Sequence, residues 1–350
     1  MPEPDYNEQT EFSLFDDPSE TTTTDASSGD HRVFLGWENS LLQATATHLI
    51  QGHPKKETLD LTSALVIVPT KNAGRRLRET LAIRAAEQGA AVFPPLVVTP
   101  DFLFSPERLP SSAESLPVAT PQIAQWLWTA TLLKIPFANF RRVFPVDPVE
   151  RSLRWANDTA SELLAVKRLL AESQLTFATA GEILSDEDIE PGRWAELAEI
   201  EAIAAREIGG CGFREESSAQ FDAAANGQLD PSITSVFVCG VPDLRPIAAK
   251  AIDHLSNQLT LSILVHAPES EAAHFDRLGR PLADSWLDRE IPIPAPETNI
   301  IRTASTFDQA AVAVKMLSEL DAPAKQAAFG IPDAILSIPL AEALEKQDLK

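Results

Sequence analysis

The chain has few of the residues on which secreted, membrane-spanning and zinc-binding proteins depend. Its 350 residues include only two cysteines, Cys211 and Cys239, which excludes a disulfide framework and a cysteine-rich zinc site. Uninterrupted apolar runs are short, such as Ala64–Val68, whereas a helix that spans a bilayer needs about 18 or more apolar residues. No Lys or Arg and no apolar stretch precedes Arg32. No secretory signal is therefore predicted, and we expect a cytoplasmic protein without a membrane partner.

Positive charge is also scarce. Lys and Arg number 29 against 51 Asp and Glu, which gives a net charge of −22. This balance excludes a protein that coats nucleic acid non-specifically, because phosphate binding needs clustered cations. Residues 1–31 contain nine of the carboxylates, no Lys or Arg, and a run of four threonines. They are predicted to form a disordered acidic tail, with a partner-binding segment around Phe12, Leu14 and Phe15 as the alternative.

The fold is predicted from alternating apolar runs and helical periodicity. Short apolar runs that read as strands occur at Arg32–Gly36, Ala64–Val68, Leu96–Thr99, Ser235–Gly240 and Leu259–Val265. Helices are predicted between or after them at Ser40–Gln51, Asn72–Glu87 and Pro246–Leu255. This alternation favours an α/β fold with a parallel sheet, because parallel strands need helical crossovers. We assign residues 32–120 and 231–296 to this first domain.

Two other segments depart from that alternation. Residues 121–230 show helical periodicity and almost no strand signal, which predicts an all-helical insertion into the first domain. Its predicted helices are Pro121–Leu133, Pro148–Ser173, Thr179–Leu184 and Pro191–Ile208. Residues 297–350 are predicted to start a second α/β unit that is incomplete. Its expected elements are strands at Asn299–Thr303 and Ala327–Ile331, with helices at Asp308–Leu320 and Ile335–Glu345.

The loop after the first predicted strand has lost the chemistry of a phosphate-binding loop. A functional loop reads G-x-x-x-x-G-K-[ST], in which Lys reaches the terminal phosphates and the hydroxyl binds magnesium. Within Gly36–Gln43, those last three places hold Leu41, Leu42 and Gln43. A leucine cannot neutralise a triphosphate, so the sequence predicts no ATP hydrolysis, no catalytic residue and no cofactor in this chain.

A match to the PD-(D/E)-x-K nuclease pattern is interpreted as chance. Pro332-Asp333 and Asp348-Leu349-Lys350 supply its letters, and Leu336–Leu344 between them reads as a helix. The two carboxylates would then lie roughly 20 Å apart at 1.5 Å per residue, too far to share a metal ion. No G-x-S-x-G hydrolase nucleophile and no zinc-ligand spacing occur either.

One basic motif remains as a candidate binding site. It follows the strand at Ala64–Val68 and comprises Thr70, Lys71, Arg75, Arg76 and Arg78. A loop at the carboxyl end of a parallel strand is where α/β sheets bind ligands, and Arg75 and Arg78 are expected on one helix face. The motif therefore predicts binding to the phosphates of a DNA single strand. A solvated helix face is the alternative interpretation.

Several segments of the sequence, including the one that contains the basic motif, resemble a known family. Ala64–Leu81, Val236–Pro246, Val265–Glu269, Phe275–Pro281, Trp286 and Ala328–Asp333 are similar in order and spacing to the amino-terminal half of AddB-type subunits of bacterial helicase–nucleases. The resemblance implies a degenerate P-loop domain, RecA-like and helicase-like (superfamily 1), and the start of a second RecA-like domain at residue 297. It implies a decayed Walker A at Gly36–Gln43. It also implies a Walker B strand whose acidic pair is replaced by Cys239-Gly240.

The same resemblance implies a role in DNA recombination and double-strand break repair. The chain would be a non-catalytic scaffold that holds or inspects a DNA strand, weakly and in single-stranded form, beside a helicase subunit of AddA type. The family's PD-(D/E)XK nuclease domain would lie beyond residue 350, so we expect a fragment or a truncated gene product. Two alternatives stay open. One is an α/β anion- or nucleotide-binding enzyme such as a nucleotide-sugar transferase, and the other is a purely structural interaction module.

Overall fold

The structure is a computed structural model that describes residues 31–51, 58–110, 116–185, 187, 189–319 and 327–347. The chain divides into two compact units between Leu287 and Asp288. Apart from His31, the predicted acidic tail at residues 1–31 lies outside the described residues, as do the last three residues of the nuclease-like match.

Within the described residues, the chain forms strands and α-helices that we number in chain order. The strands are β1 (Arg32–Phe34), β2 (Thr58–Asp60), β3 (Ala64–Ile67), β4 (Ala91–Phe93), β5 (Leu96–Val98), β6 (Ser235–Cys239) and β7 (Thr260–Val265). The helices are α1 (Leu41–Gln51), α2 (Lys71–Glu87), α3 (Pro121–Lys134), α4 (Leu153–Glu172), α5 (Phe177–Ser185), α6 (Pro191–Gly210), α7 (Glu216–Asn226), α8 (Pro246–Ser256), α9 (Ala283–Leu287), α10 (Pro296–Asn299), α11 (Thr306–Glu319) and α12 (Ser337–Glu345).

Five strands form one parallel sheet in the order β1-β7-β6-β3-β5. All five were predicted, so the α/β fold with a parallel sheet is confirmed. The sheet draws strands from both sides of the helical region, since β6 and β7 pair with strands that precede it. The sequence did not predict β2 and β4, which form a separate two-stranded parallel sheet.

Helices cover both faces of the five-stranded sheet. In the interior strand β3, Leu65 and Ile67 pack in one cluster with α8, whereas Val66, and Val68 just after the strand, pack in another with α1 and α2. This alternation follows from the two-residue period of a strand. A strand that is buried on both faces reads as a continuous apolar run, which is why β3 was conspicuous in the sequence.

The helical region between β5 and β6 contains α3 to α7 and has its own core. Its largest fully buried side chains include Trp128, Phe140, Phe177, Ile200 and Ile208. The helix predicted at Pro148–Ser173 begins only at Leu153, because the Ser152 side chain accepts a hydrogen bond from the Trp155 amide and caps the helix there. Helix α7 was not predicted.

Two strands predicted in the second unit are absent from its described residues. Asn299–Thr303 and Ala327–Ile331 are not strands: Asn299 ends α10, and the remaining residues of both segments carry no regular structure. Ile300 and Ile301 are about half exposed, and no described strand of this unit is available to pair with them. Among its described residues the unit has no strand, and therefore no sheet on which a second RecA-like domain would be built, and its small core lies between α11 and α12.

Candidate functional site

The strand order of the sheet reverses direction between β3 and β6. After β3 the chain crosses to β5 on one side, whereas after β6 it crosses to β7 on the other, and β3 and β6 are neighbours. Ligands in open α/β sheets bind at such a reversal, outside the carboxyl ends of the strands. The reversal lies between the loop that leads to Thr70 and the loop that begins at Gly240.

The loop after β1 is fixed against the loop after β7. The Gly36 amide donates to the Ala267 carbonyl at 2.9 Å, and the Trp37 indole nitrogen donates to the His266 carbonyl at 2.8 Å. His266 Nε2 in turn lies 2.9 Å from the Asn39 carbonyl, to which it donates. These three hydrogen bonds within the protein fix the conformation of Gly36–Asn39.

The places of the second glycine and of the phosphate-binding lysine are both apolar, since they hold Leu41 and Leu42. Leu41 packs so closely against Gly240 that a Cβ on Gly240 would clash with Leu41 Cδ2. The adjoining cavity, of about 210 Å³, is lined by Leu41, Val241, Pro242 and Phe275 among others, with no Lys or Arg among the described residues that line it. Leu42 is half-buried and Gln43 is exposed. A triphosphate at this place would lose its hydration without gaining a counter-charge.

We therefore expect no ATP hydrolysis, with or without DNA. ATP with magnesium at millimolar concentration should leave the melting temperature unchanged, because only a ligand that binds the native state raises it. The measurement is phosphate release together with a thermal melt. A matched Gly36→Ala variant tests contamination: turnover that persists in the variant comes from another protein, and turnover that disappears contradicts the prediction.

The position expected to carry a magnesium-binding acid holds an inert thiol. Cys239 is fully buried, and its Sγ lies 2.9 Å from Thr45 Oγ1. Burial raises the pKa of the Cys239 thiol to about 11, so the thiol stays protonated at neutral pH and is a poor metal ligand. In the part of the chain that the structure describes, no group of His, Cys, Asp and Glu side chains could hold a metal ion.

The basic motif surrounds the first turns of α2. The Thr70 hydroxyl caps the helix by accepting a hydrogen bond from the Ala73 amide at 3.1 Å. Arg75 is engaged with neighbours, since it contacts Glu79 at 2.6 Å and Asn72 at 3.2 Å. The other three cations of the motif form no ion pair or side-chain hydrogen bond with any described residue; they are Lys71, Arg76 and Arg78.

The structure brings two of these free cations to one pocket. Lys71 and Arg78, two helical turns apart, line a pocket of about 380 Å³ at the carboxyl ends of β3 and β5, while Arg75 and Arg76 do not line it. Gly74 lies between them, and a Cβ there would be 3.0 Å from Val97 Cγ1, so glycine lets the helix approach the sheet. No carboxylate belongs to the lining formed by described residues.

Sequence reasoning missed two residues of this pocket, Thr99 and Phe102. Both follow β5, which pairs with β3 and therefore ends at the same edge of the sheet. The signal was present, because the strand at Leu96–Thr99 was predicted and neighbouring parallel strands end together. Thr99 adds a hydroxyl and Phe102 an aromatic surface to a pocket whose described charges are both positive.

Comparison with known proteins gives no family assignment. No known family model matches the chain, and no curated protein matches it. Across the described ranges, no helix has the length and apolar character needed to cross a membrane.

Proposed function

We propose that the chain is a non-catalytic, helicase-like scaffold that holds a single strand of DNA in the pocket between α2 and β5. The observation that carries the proposal is the pair of unpartnered cations, Lys71 and Arg78, in a pocket without a carboxylate among its described lining residues. In a chain of net charge −22, such a local concentration of free positive charge indicates an anionic ligand.

The geometry suits a nucleotide unit of a strand. Lys71 and Arg78 would contact phosphate oxygens, and the positive end of the α2 dipole would add to the attraction. The Phe102 ring would offer an apolar surface to a base, as aromatic side chains do in proteins that bind single strands. Thr99 would donate a hydrogen bond to a phosphate or sugar oxygen.

Binding is favoured over catalysis because the pocket has no set of catalytic groups. Among the described lining residues there is no histidine, cysteine or carboxylate to serve as general base or nucleophile. The apolar contact between Leu41 and Gly240 likewise supports a site without ATP hydrolysis. An AddA-type helicase subunit would supply the motor and a PD-(D/E)XK nuclease domain the cutting activity of a double-strand-break repair helicase–nuclease, while this chain retains the strand.

The test compares two double variants on one helix. Lys71→Ala/Arg78→Ala removes the pocket cations, whereas Arg75→Ala/Arg84→Ala removes two cations that are paired with Glu79 and Glu87. Both variants change the net charge equally. Binding of a fluorescent oligothymidylate is measured by anisotropy across a salt series. The slope of log K against log salt should fall by about 1.4 in the pocket variant, since each phosphate contact on a single strand contributes about 0.7.

The Arg75→Ala/Arg84→Ala control should keep the salt slope of the unaltered protein. It should bind the oligothymidylate somewhat more weakly, because its net charge is more negative. Equal slopes in both variants would show that the basic motif is only a solvated face. Displacement of the oligonucleotide by a nucleoside diphosphate at micromolar concentration would favour the anion- or nucleotide-binding enzyme instead.

A further inference from the structure

The pocket between α2 and β5 lies at the outer edge of the sheet. β5 has β3 as its single neighbour there, so its other side is next to no described strand. Lys71 and Arg78 are exposed residues of the pocket lining, and neither forms an ion pair with a described residue. In a chain of net charge −22, these two cations attract carboxylates of the same chain as well as the phosphates of a ligand.

One segment of the chain has the chemistry that this pocket would accept. Residues 11–20, which we call the acidic aromatic segment, read Glu-Phe-Ser-Leu-Phe-Asp-Asp-Pro-Ser-Glu. They combine four carboxylates with two phenylalanines and contain no Lys or Arg. A single strand of DNA likewise combines negative charge with aromatic rings, so the same pocket suits both. The segment lies outside the described residues.

The segment and the pocket are complementary in charge and in apolar surface. Asp16 and Asp17 are adjacent carboxylates that match the two cations of the pocket. Hydrogen bonds between such ionised groups are stronger than those between neutral groups. The Phe15 ring would pack on the ring of Phe102, since aromatic side chains attract one another in edge-on and offset arrangements.

The strand register places the end of the acidic tail level with the pocket. Arg32 lies opposite Ile263, and Ile263 lies opposite Val238. Val238 lies opposite Ile67, which in turn lies opposite Val98. Val98 lines the pocket. Arg32 and Val98 are therefore four strand spacings of about 4.8 Å apart, or roughly 19 Å.

The chain that joins the segment to β1 is long enough to reach the pocket. From Phe15 to Arg32 there are 32 − 15 = 17 residue steps. At about 3.3 Å each, they span up to roughly 56 Å. This length is nearly three times the direct distance, so the connection can pass around the helices that cover the sheet. Because the segment and the pocket belong to one chain, even a weak contact gives a high occupancy.

We propose that the acidic aromatic segment occupies the pocket between α2 and β5 in the free protein and is displaced by a DNA strand. The displacement by DNA rests on the proposed function, whereas the contact of the segment with Lys71 and Arg78 does not. The two parts of the proposal therefore have separate measurements.

The first measurement is the reactivity of Lys71 and needs no DNA. Lysines are acetylated with an N-hydroxysuccinimide ester, and mass spectrometry compares Lys71 with Lys250, an exposed lysine of α8. If the segment covers Lys71 for about two-thirds of the time, Asp16→Asn/Asp17→Asn should raise the rate at Lys71 about threefold. The rate at Lys250 should not change. The matched Asp25→Asn/Asp30→Asn variant has the same net charge and should react like the unaltered protein.

The second measurement is the affinity for oligothymidylate at one low salt concentration. Asp16→Asn/Asp17→Asn should bind about threefold more tightly than Asp25→Asn/Asp30→Asn, because a larger fraction of its pockets is free. The comparison between these two variants removes the effect of net charge, which they share. Raising the salt to about 1 M, where the Debye length is about 3 Å, should abolish the difference in Lys71 reactivity.

The outcomes separate this inference from the proposed function. Equal Lys71 reactivity in the unaltered protein and both variants would overturn the inference, whatever the affinity for DNA. A rise in Lys71 reactivity with equal DNA affinity would support the contact of the segment and contradict the binding of DNA in this pocket. Protection of Lys71 should not depend on protein concentration. Protection that grows with concentration would overturn the contact within one chain and assign it to a second copy.

Discussion

Replacing Lys167 with methionine should lower the free energy of unfolding by about 3–5 kcal/mol, because it leaves buried charge without compensation. Lys167 on α4 is buried and pairs with Glu201 on α6 and Glu215 at the start of α7. Glu201 also accepts a hydrogen bond from the Phe177 amide at 3.3 Å. The ammonium group therefore joins several helices of the inserted region, and its loss would force two carboxylates to share an apolar environment.

Urea unfolding of the variant gives the measurement, and Lys134→Met gives the control. Lys134 and Glu207 also bridge two helices of the same region at 3.2 Å, but both side chains are exposed, so the loss should stay under about 1 kcal/mol. Equal losses for Lys134 and Lys167 would contradict the importance of burial for this pair.

Glu215→Gln should act in the opposite direction. A carboxyl whose pKa is raised by folding holds its proton where the unfolded chain has released it, so its contribution to stability falls as pH rises above the ordinary glutamate pKa. Glutamine does not ionise, so the variant has no such loss of stability at high pH. The variant should therefore be at least as stable as the parent at pH 7, and the difference should shrink as the pH falls towards 4.

Arg108→Met should be comparably damaging, at about 3–5 kcal/mol, although Arg108 forms no ion pair with any described residue. Its buried guanidinium donates to the carbonyls of Leu103 and Gly227, the latter at 2.9 Å, and to that of Gln228 at 3.3 Å. Each hydrogen bond from a charged group contributes about 1.5–3 kcal/mol, and the three are not additive. Burial lowers the pKa of Arg108 to about 10, which leaves it charged at neutral pH.

Arg84→Met on the exposed side of α2 provides the matched control, with an expected change within about 0.5 kcal/mol. Arg108→Lys should recover part of the loss, since an ammonium cannot reach three carbonyls arranged around a planar guanidinium. Full stability in Arg108→Met would show that the three carbonyls find other donors. Urea midpoints, followed by both fluorescence and circular dichroism, decide between these outcomes.

The sheet of the first unit was predictable because burial on both faces leaves a clear pattern. β3 and β6 are apolar runs bounded by turn residues, and α2 has a capping threonine and a terminal glycine, Gly89, in the left-handed region at φ 72°. The same rule failed at Ile300 and Phe329, where equally apolar residues have no described strand to pair with. Local composition indicates strand preference, whereas pairing depends on residues far away in the chain.

The location of the candidate site was easier to predict from the sequence than the residues that form it. The position of Lys71 and Arg78 after a buried strand pointed to the carboxyl edge. Which cations remain free could not be predicted, because it depends on side-chain pairing such as that of Arg75 with Glu79. Thr99 and Phe102 join the pocket through the pairing of β5 with β3, which no local pattern specifies.

The connectivity of the sheet also sets the order in which the protein can be completed during synthesis. β1 has β7 as its single neighbour in the sheet, with Arg32 opposite Ile263. β1 therefore cannot pair until β7, the last strand of this sheet, has been synthesised. At ribosomal rates of about 5–20 residues per second, that interval is roughly 10–50 s. For most of this interval the apolar strand β3 has no β6 beside it, while the helical region can fold through local contacts. The nascent chain should therefore recruit chaperones until residue 265 has left the ribosome.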